Sequence, residues 1–280
     1  MTGGVLLALL TSALYGVGDF VGGLVSRRRP LTSVLFVAQT AAVVLLVPRG
    51  VGALEHASAS SLAWGALAGA GVALGMAGLF RGLAIGTMGV VAPISALSVV
   101  IPVLAGVLSG ERFGLLVAFG LVVAVAGAVL ASGPERRRGG DRASLQPVVM
   151  AVLAAVGFGI AQLAIARGSA TGVTATVFCA NLVTWVLYAG AAALRRAPVR
   201  MRGWDLVGAL GVGAAGVGAT LAFGTASRAG ALTVVAVLAA LYPAITAVLG
   251  WRLLGEHLRG IQRAGVVAVL AGVALIAGGA

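Results

Sequence analysis

The chain has 280 residues, 60% of them hydrophobic and only 9% charged, where a water-soluble domain carries about a quarter charged residues. So few polar groups cannot coat an aqueous surface, which makes this an integral membrane protein. The net charge of +12 does not imply a nucleic-acid partner: all 19 basic residues are arginines, and they sit in short clusters between apolar blocks, as membrane topology requires.

Ten apolar blocks are each about long enough to cross ~30 Å of hydrocarbon as a helix. They run over 3–25, 31–48, 61–80, 88–109, 113–132, 147–167, 171–194, 204–226, 231–253 and 260–279. The start, MTGGVLLALL, lacks the basic region and processing site of a cleavable signal, so the first span is expected to be retained. That span contains LYGVGDFVGGLVSRRRP, in which Asp19 interrupts an apolar run eight residues before Arg27. At the helical rise this puts the acid ~12 Å from the span end, inside the hydrocarbon. An ionised carboxylate there costs a few kcal/mol, so it should face protein or a wetted cavity. Ser12, Tyr15 and Asp19 share one stripe of that helix. The acid reads as a site for a proton or a cationic group, as half of a buried pair with an arginine such as Arg81, or as an acid snorkelling toward the interface.

The second span offers Gln39 and the sixth Gln162. Pro93 and Pro102 fall within the fourth span and Pro243 within the ninth, where each is expected to kink its helix. Tyr242, beside Pro243, is a candidate gate. In the seventh span Asn181, Trp185 and Tyr188 follow helical spacing and suggest a wall that stacks on and hydrogen-bonds an organic ligand, or else ordinary polar helix packing. Glu111 and Glu256 each follow a glycine just before a span, where a carboxylate complements a helix N-terminus.

Other signals carry no chemistry. GVGAAG, residues 211–216, spells a dinucleotide fingerprint but lies inside an apolar span rather than after a strand. Without lysine there is no phosphate-binding Walker loop. One cysteine and two histidines give no metal cluster and no intrachain disulfide.

The halves are related. At an offset of 141 residues Gly16 and Gly18 fall on Gly157 and Gly159, Gly89 on Gly230 and Pro102 on Pro243. After the prolines the offset becomes 145, and Glu111, Gly120 and Gly127 fall on Glu256, Gly265 and Gly272. The division is a first repeat over 1–132, a cytoplasmic linker over 133–146 and a second repeat over 147–280. Five spans per half send the second half into the membrane from the opposite side, an inverted repeat typical of transporters. Fifteen of the arginines fall in the odd-numbered loops and four in the even ones, so the odd loops are cytoplasmic and both termini lie outside. Trp64 and Trp204 open the third and eighth spans, as interfacial rings do.

Ten spans in two halves, LYGVGDFVGG opening the first, and the GERF and YPAITAVLGWRLLGEHL segments closing each half together resemble the drug/metabolite transporter superfamily, EamA-type. The first-half segment IPVLAGVLSGERF departs by being one turn shorter. The resemblance covers essentially the whole chain and implies a non-enzymatic secondary transporter of the bacterial inner membrane, moving a small organic metabolite through a central cavity lined by both halves. Export by alternating access, driven by a proton or another ion and without a further cofactor, is the expected activity. The expected partners are the bilayer and the small-molecule substrate, in a monomer or homodimer. A flippase for a lipid-linked or phospholipid carrier, using Arg81 or Arg228, is the alternative.

Overall fold

The computed structural model describes residues 2–101, 105, 114–131, 145–196, 200–229, 242–255 and 260–279. All its regular elements are helical: α1 Thr2–Ser26, α2 Leu31–Glu55, α3 Ala59–Ile85, α4 Met88–Ser95 with a 3-10 turn over Ala96–Val99, α5 Leu115–Ala131, α6 Gln146–Leu194, α7 Trp204–Ala229, α8 Tyr242–Leu254 and α9 Gly260–Gly279. Such a chain can satisfy its backbone in hydrocarbon only as helices or a closed barrel.

Six segments are long and apolar enough to cross a membrane: Leu6–Ser26, Leu31–Glu55, Ala59–Ile85, Gln146–Ile165, Arg167–Leu194 and Trp204–Phe223. These match the first, second, third, sixth, seventh and eighth expected spans. Shorter apolar helices over Met88–Ser98, Leu115–Gly127, Ile245–Leu254 and Arg263–Leu275 fall where the fourth, fifth, ninth and tenth spans are expected. Residues 102–104, 106–113, 132–144, 230–241 and 256–259 adjoin them and lie outside the described residues. So do Pro102, Glu111, Glu256 and nearly all of the midpoint linker.

α2 continues seven residues past its expected end, through Pro48 and Arg49. Proline removes one helical hydrogen bond, but both residues are exposed, so no buried group is orphaned. Pro93 lies inside α4, and the α-helix gives way to a 3-10 turn three residues later. Pro243 is the second described residue of α8, and the residues before it lie outside the described ones.

Small residues set the helix crossings, as expected where lipid removes the hydrophobic drive for association. Along α3, Gly71 packs on Gly157 and Ala161, Gly78 on Met150 and Ala154, and Gly86 on Pro147. The partners descend as α3 ascends, so this arm of α6 is antiparallel to α3. Farther on the order reverses: Gly65 packs on Cys179, the Thr184 hydroxyl donates to the Gly69 carbonyl at 2.9 Å, and the Tyr188 hydroxyl donates to the Ala73 carbonyl at 2.8 Å. The second arm is therefore parallel to α3. α6 folds back at Gly172, whose φ of 176° and ψ of 96° are not helical, and clasps α3 between two arms.

The same reasoning gives other directions. α1 runs antiparallel to α7, with Thr11 bonded to Ala219 and Val25 against Gly208. α1 and α3 run parallel, Gly22 on Phe80 and Gly23 on Leu83, and Arg27 donates to the Leu83 and Gly86 carbonyls at 3.1 Å each, capping the end of α3. α5 and α9 are antiparallel: a Cβ at Gly127 would lie 2.8 Å from the Gly265 carbonyl oxygen, and one at Gly272 2.6 Å from that of Gly120. The main core, including Phe20, Val34, Leu79, Phe80, Leu83 and Ile94, is buried where α1, α2, α3 and α4 meet.

Candidate functional site

α1, α4, α7 and α8 converge around Asp19, so both sequence halves build the site. Gly16 on α1 allows the approach: a Cβ there would lie 2.8 Å from the Tyr242 carbonyl oxygen, and the Thr246 hydroxyl donates to the Gly16 carbonyl at 3.0 Å. That contact sets α8 one helical turn from the acid. The Tyr15 hydroxyl and Thr220 Oγ1 on α7 share a hydrogen bond of 2.9 Å. The Tyr242 hydroxyl is hydrogen-bonded to the side chain of Ser95 on α4. The two tyrosine rings meet edge to face, centroids 6.0 Å apart, and Asp19 acts electrostatically on both hydroxyls.

Asp19 is partly buried, and among the described residues it has neither an ion-pair nor a hydrogen-bond partner. The structure thus overturns the pairing with Arg81, whose side chain is exposed. The one ion pair among the described residues joins Arg29 Nε to Asp205 Oδ2 at 2.6 Å, at the ends of α1 and α7. Ser12, on the same stripe as Asp19, is 2% exposed and its hydroxyl has no partner among the described residues.

The remaining candidates gather elsewhere. Gln39 Nε2 donates to Asn181 Oδ1 at 2.7 Å and to the Asn181 carbonyl at 3.2 Å. Trp185 Nε1 donates to Thr40 Oγ1 at 2.9 Å, and its ring stands 6.1 Å from that of Phe36. Tyr188 is 5% exposed and faces α3. Asn181, Trp185 and Tyr188 therefore do not line one cavity: the first two join α6 to α2 and the third joins it to α3. Gln162 Nε2 donates to Ser98 Oγ at 3.1 Å beside α4. An open apolar groove of about 340 Å³ lies between α2 and α7, lined by Thr40, Ala41, Val44, Leu45, Leu210 and Ala214.

The sequence reading missed Ser95, Thr220 and Thr246. A hydroxyl in an apolar helix is ordinarily satisfied by the carbonyl four residues back, as Thr220 is by Gly216, so spacing alone gave no sign of a partner across helices. Among the described residues no three His, Cys, Asp or Glu side chains group to hold a metal ion.

The profile of the EamA-like transporter family matches residues 2–133 and again residues 145–278. Comparison with curated protein sequences finds no match. A solved crystal structure superposes with a TM-score of 0.63 over 98% of this chain and 96% of its own at 18% identity, a likeness of fold.

Proposed function

Because the chain belongs to the EamA-like transporter family and is a multi-pass membrane protein, we propose that it is a secondary transporter of the bacterial inner membrane, exporting a small organic metabolite by alternating access. Asp19 exchanges a proton or engages a cationic group, and Tyr15 and Tyr242 flank the cargo. The observation that carries this is an intramembrane acid that has no counter-charge among the described residues, where helices of both halves converge. An acid in that setting marks an ion or substrate path.

Ten crossings in two inverted halves are part of the proposal. The antiparallel and parallel pairings support it: α1 against α7 and the first arm of α6 against α3 exchange roles when the halves are swapped. So do the glycine contacts of α5 and α9. With the arginine-rich loops in the cytoplasm, both termini lie outside; a reporter fused after Ala280 that is active only in the cytoplasm refutes the orientation. The lipid-carrier alternative gains less. It needs a basic headgroup pocket, whereas Arg81 is exposed and the groove between α2 and α7 is apolar; the Arg228 side chain lies outside the described residues.

The test is release from proteoliposomes loaded with a bacterial metabolite extract under an imposed pH gradient, followed by mass spectrometry. Wild type releases a specific set of compounds and Asp19→Asn does not. Equal release by Asp19→Asn rejects the role of the acid, and no release beyond that of empty liposomes rejects transport.

A further inference from the structure

α2 and α7 run parallel. Gly213 packs on Ala38 and Ala41, Val217 joins Ala42 and Leu46 in one buried cluster, and the Arg29–Asp205 pair ties the chain just before α2 to the first turn of α7. Both helices therefore start at the same end of the bundle. Between them lies the apolar groove of Thr40, Ala41, Val44, Leu45, Leu210 and Ala214. Its one polar wall residue is already satisfied: Thr40 Oγ1 donates to the Phe36 carbonyl at 2.8 Å and accepts from Trp185 Nε1 at 2.9 Å. The walls offer dispersion contacts without a spare hydrogen bond, which suits a hydrocarbon chain and not a polar metabolite.

The groove has an exposed approach. Trp204, Val207, Leu210, Gly211 and Ala214 follow helical spacing along α7, and all five are exposed. A Cβ at Gly211 would have nothing within 4 Å. This stripe leads from the start of α7 into the groove. Trp204, 61% exposed, stands where indole rings meet the headgroup level. From Trp204 to Leu210 and Ala214 is ~9–15 Å at the helical rise, and from Leu31 to Thr40 and Leu45 ~14–21 Å. One leaflet of a bilayer with ~30 Å of hydrocarbon is about 15 Å deep. An acyl chain whose headgroup sits level with Trp204 reaches the groove.

That level is basic. Arg28, Arg200 and Arg202 are exposed there, and Arg29 engages Asp205, the one acid at this end among the described residues. Four arginines against one carboxylate leave a net charge of +3. A second copy of the chain is a poorer occupant. Packing two such faces about an axis along the membrane normal sets equally charged ends side by side, where they repel. An anionic headgroup neutralises them instead.

We propose that this face binds one anionic phospholipid from the leaflet at the arginine-rich end. Its phosphate lies against Arg28 and Arg202 beside Trp204, and an acyl chain follows α7 into the groove; basic sites between membrane helices hold acidic headgroups in this way. The site opens to the bilayer, so the lipid is a structural ligand rather than cargo, and the inference stands apart from what the protein transports. The chain touches α2 from the first half and α7 from the second, so occupancy strengthens their association.

Native mass spectrometry of the detergent-purified protein tests it, with titration of phosphatidylglycerol and phosphatidylethanolamine carrying the same palmitoyl and oleoyl chains. Wild type is expected to hold one phosphatidylglycerol several-fold more tightly than phosphatidylethanolamine. Arg28→Gln/Arg202→Gln should lose about five-fold in affinity for each arginine, and the preference with it. Arg195→Gln/Arg196→Gln, the same charge change at the end of α6, should keep both. Ala214→Phe fills the groove and should weaken phosphatidylglycerol binding with every charge intact; if that variant does not fold, Gly211→Leu on the same stripe is read in its place. Equal binding of the two lipids by wild type, equal losses from the two arginine pairs, or unchanged binding by the groove variant overturns the site. A lipid-free dimer that the groove variant dissociates also overturns it, because the occupant is then a second copy.

Discussion

Gly157→Ala adds one methyl group where α3 and the first arm of α6 cross backbone against backbone. The new Cβ would lie 2.7 Å from the Gly71 carbonyl oxygen and 2.8 Å from the Gly75 Cα, where ordinary contact begins at 3.4 Å. Both neighbours are backbone, and the Gly75 amide nitrogen is nearer still, so no side chain can swing aside and α3 and the first arm of α6 must move apart. Overpacking of this kind costs about 1–3 kcal/mol. At ~2–4 °C per kcal/mol for a chain of this order of size, the midpoint should fall by about 2–12 °C. Thermal unfolding in detergent, read through a thiol-reactive dye on Cys179, measures it. Gly190→Ala is the control: it lies on the same helix with nothing within 4 Å of its Cβ, and alanine is the better helix former by about 1 kcal/mol. If Gly157→Ala melts with wild type, or Gly190→Ala falls as far, then close backbone approach does not set this crossing.

Three other expectations follow from contacts already described. A double-mutant cycle of Gln39→Leu and Asn181→Leu should give a coupling of about 0.6–1.7 kcal/mol, the range for hydrogen bonds between membrane helices; additive unfolding free energies contradict the bond between them. Tyr15→Phe removes the hydroxyl bound to Thr220 but keeps the ring against Tyr242, so substrate half-saturation should rise a few-fold, whereas Tyr15→Ala should lose far more; equal losses assign the effect to the hydroxyl. Arg29→Gln breaks a largely exposed pair and should change stability by no more than about 1 kcal/mol, with a larger drop in the melting midpoint pointing to a structural lock instead.

What could be read from the chain followed the strength of each physical signal. Hydrophobic length located the long helices well, since crossing hydrocarbon needs a minimum run whatever the packing. The second apolar block ends at Pro48, yet α2 runs on to Glu55, because the exposure of Pro48 and Arg49 leaves no buried group unpaired. Asp19 stood out because the cost of its charge is local. Its surroundings did not, because Ser95, Thr220 and Tyr242 reach it from helices up to 223 residues away in sequence. Asn181, Trp185 and Tyr188 illustrate the limit of helical periodicity: spacing places them along one helix, yet 100° per residue leaves Tyr188 turned toward α3 while Asn181 and Trp185 meet α2.

The clasp of α6 around α3 also has a cost during synthesis. α3 leaves the ribosome about sixty residues before the segment that covers its glycine stripe, and α1 emerges well before α7. For that interval the earlier helices are made without the ones that later cover them. Folding of the two halves is therefore interleaved: neither can complete its own contacts before the other has been inserted.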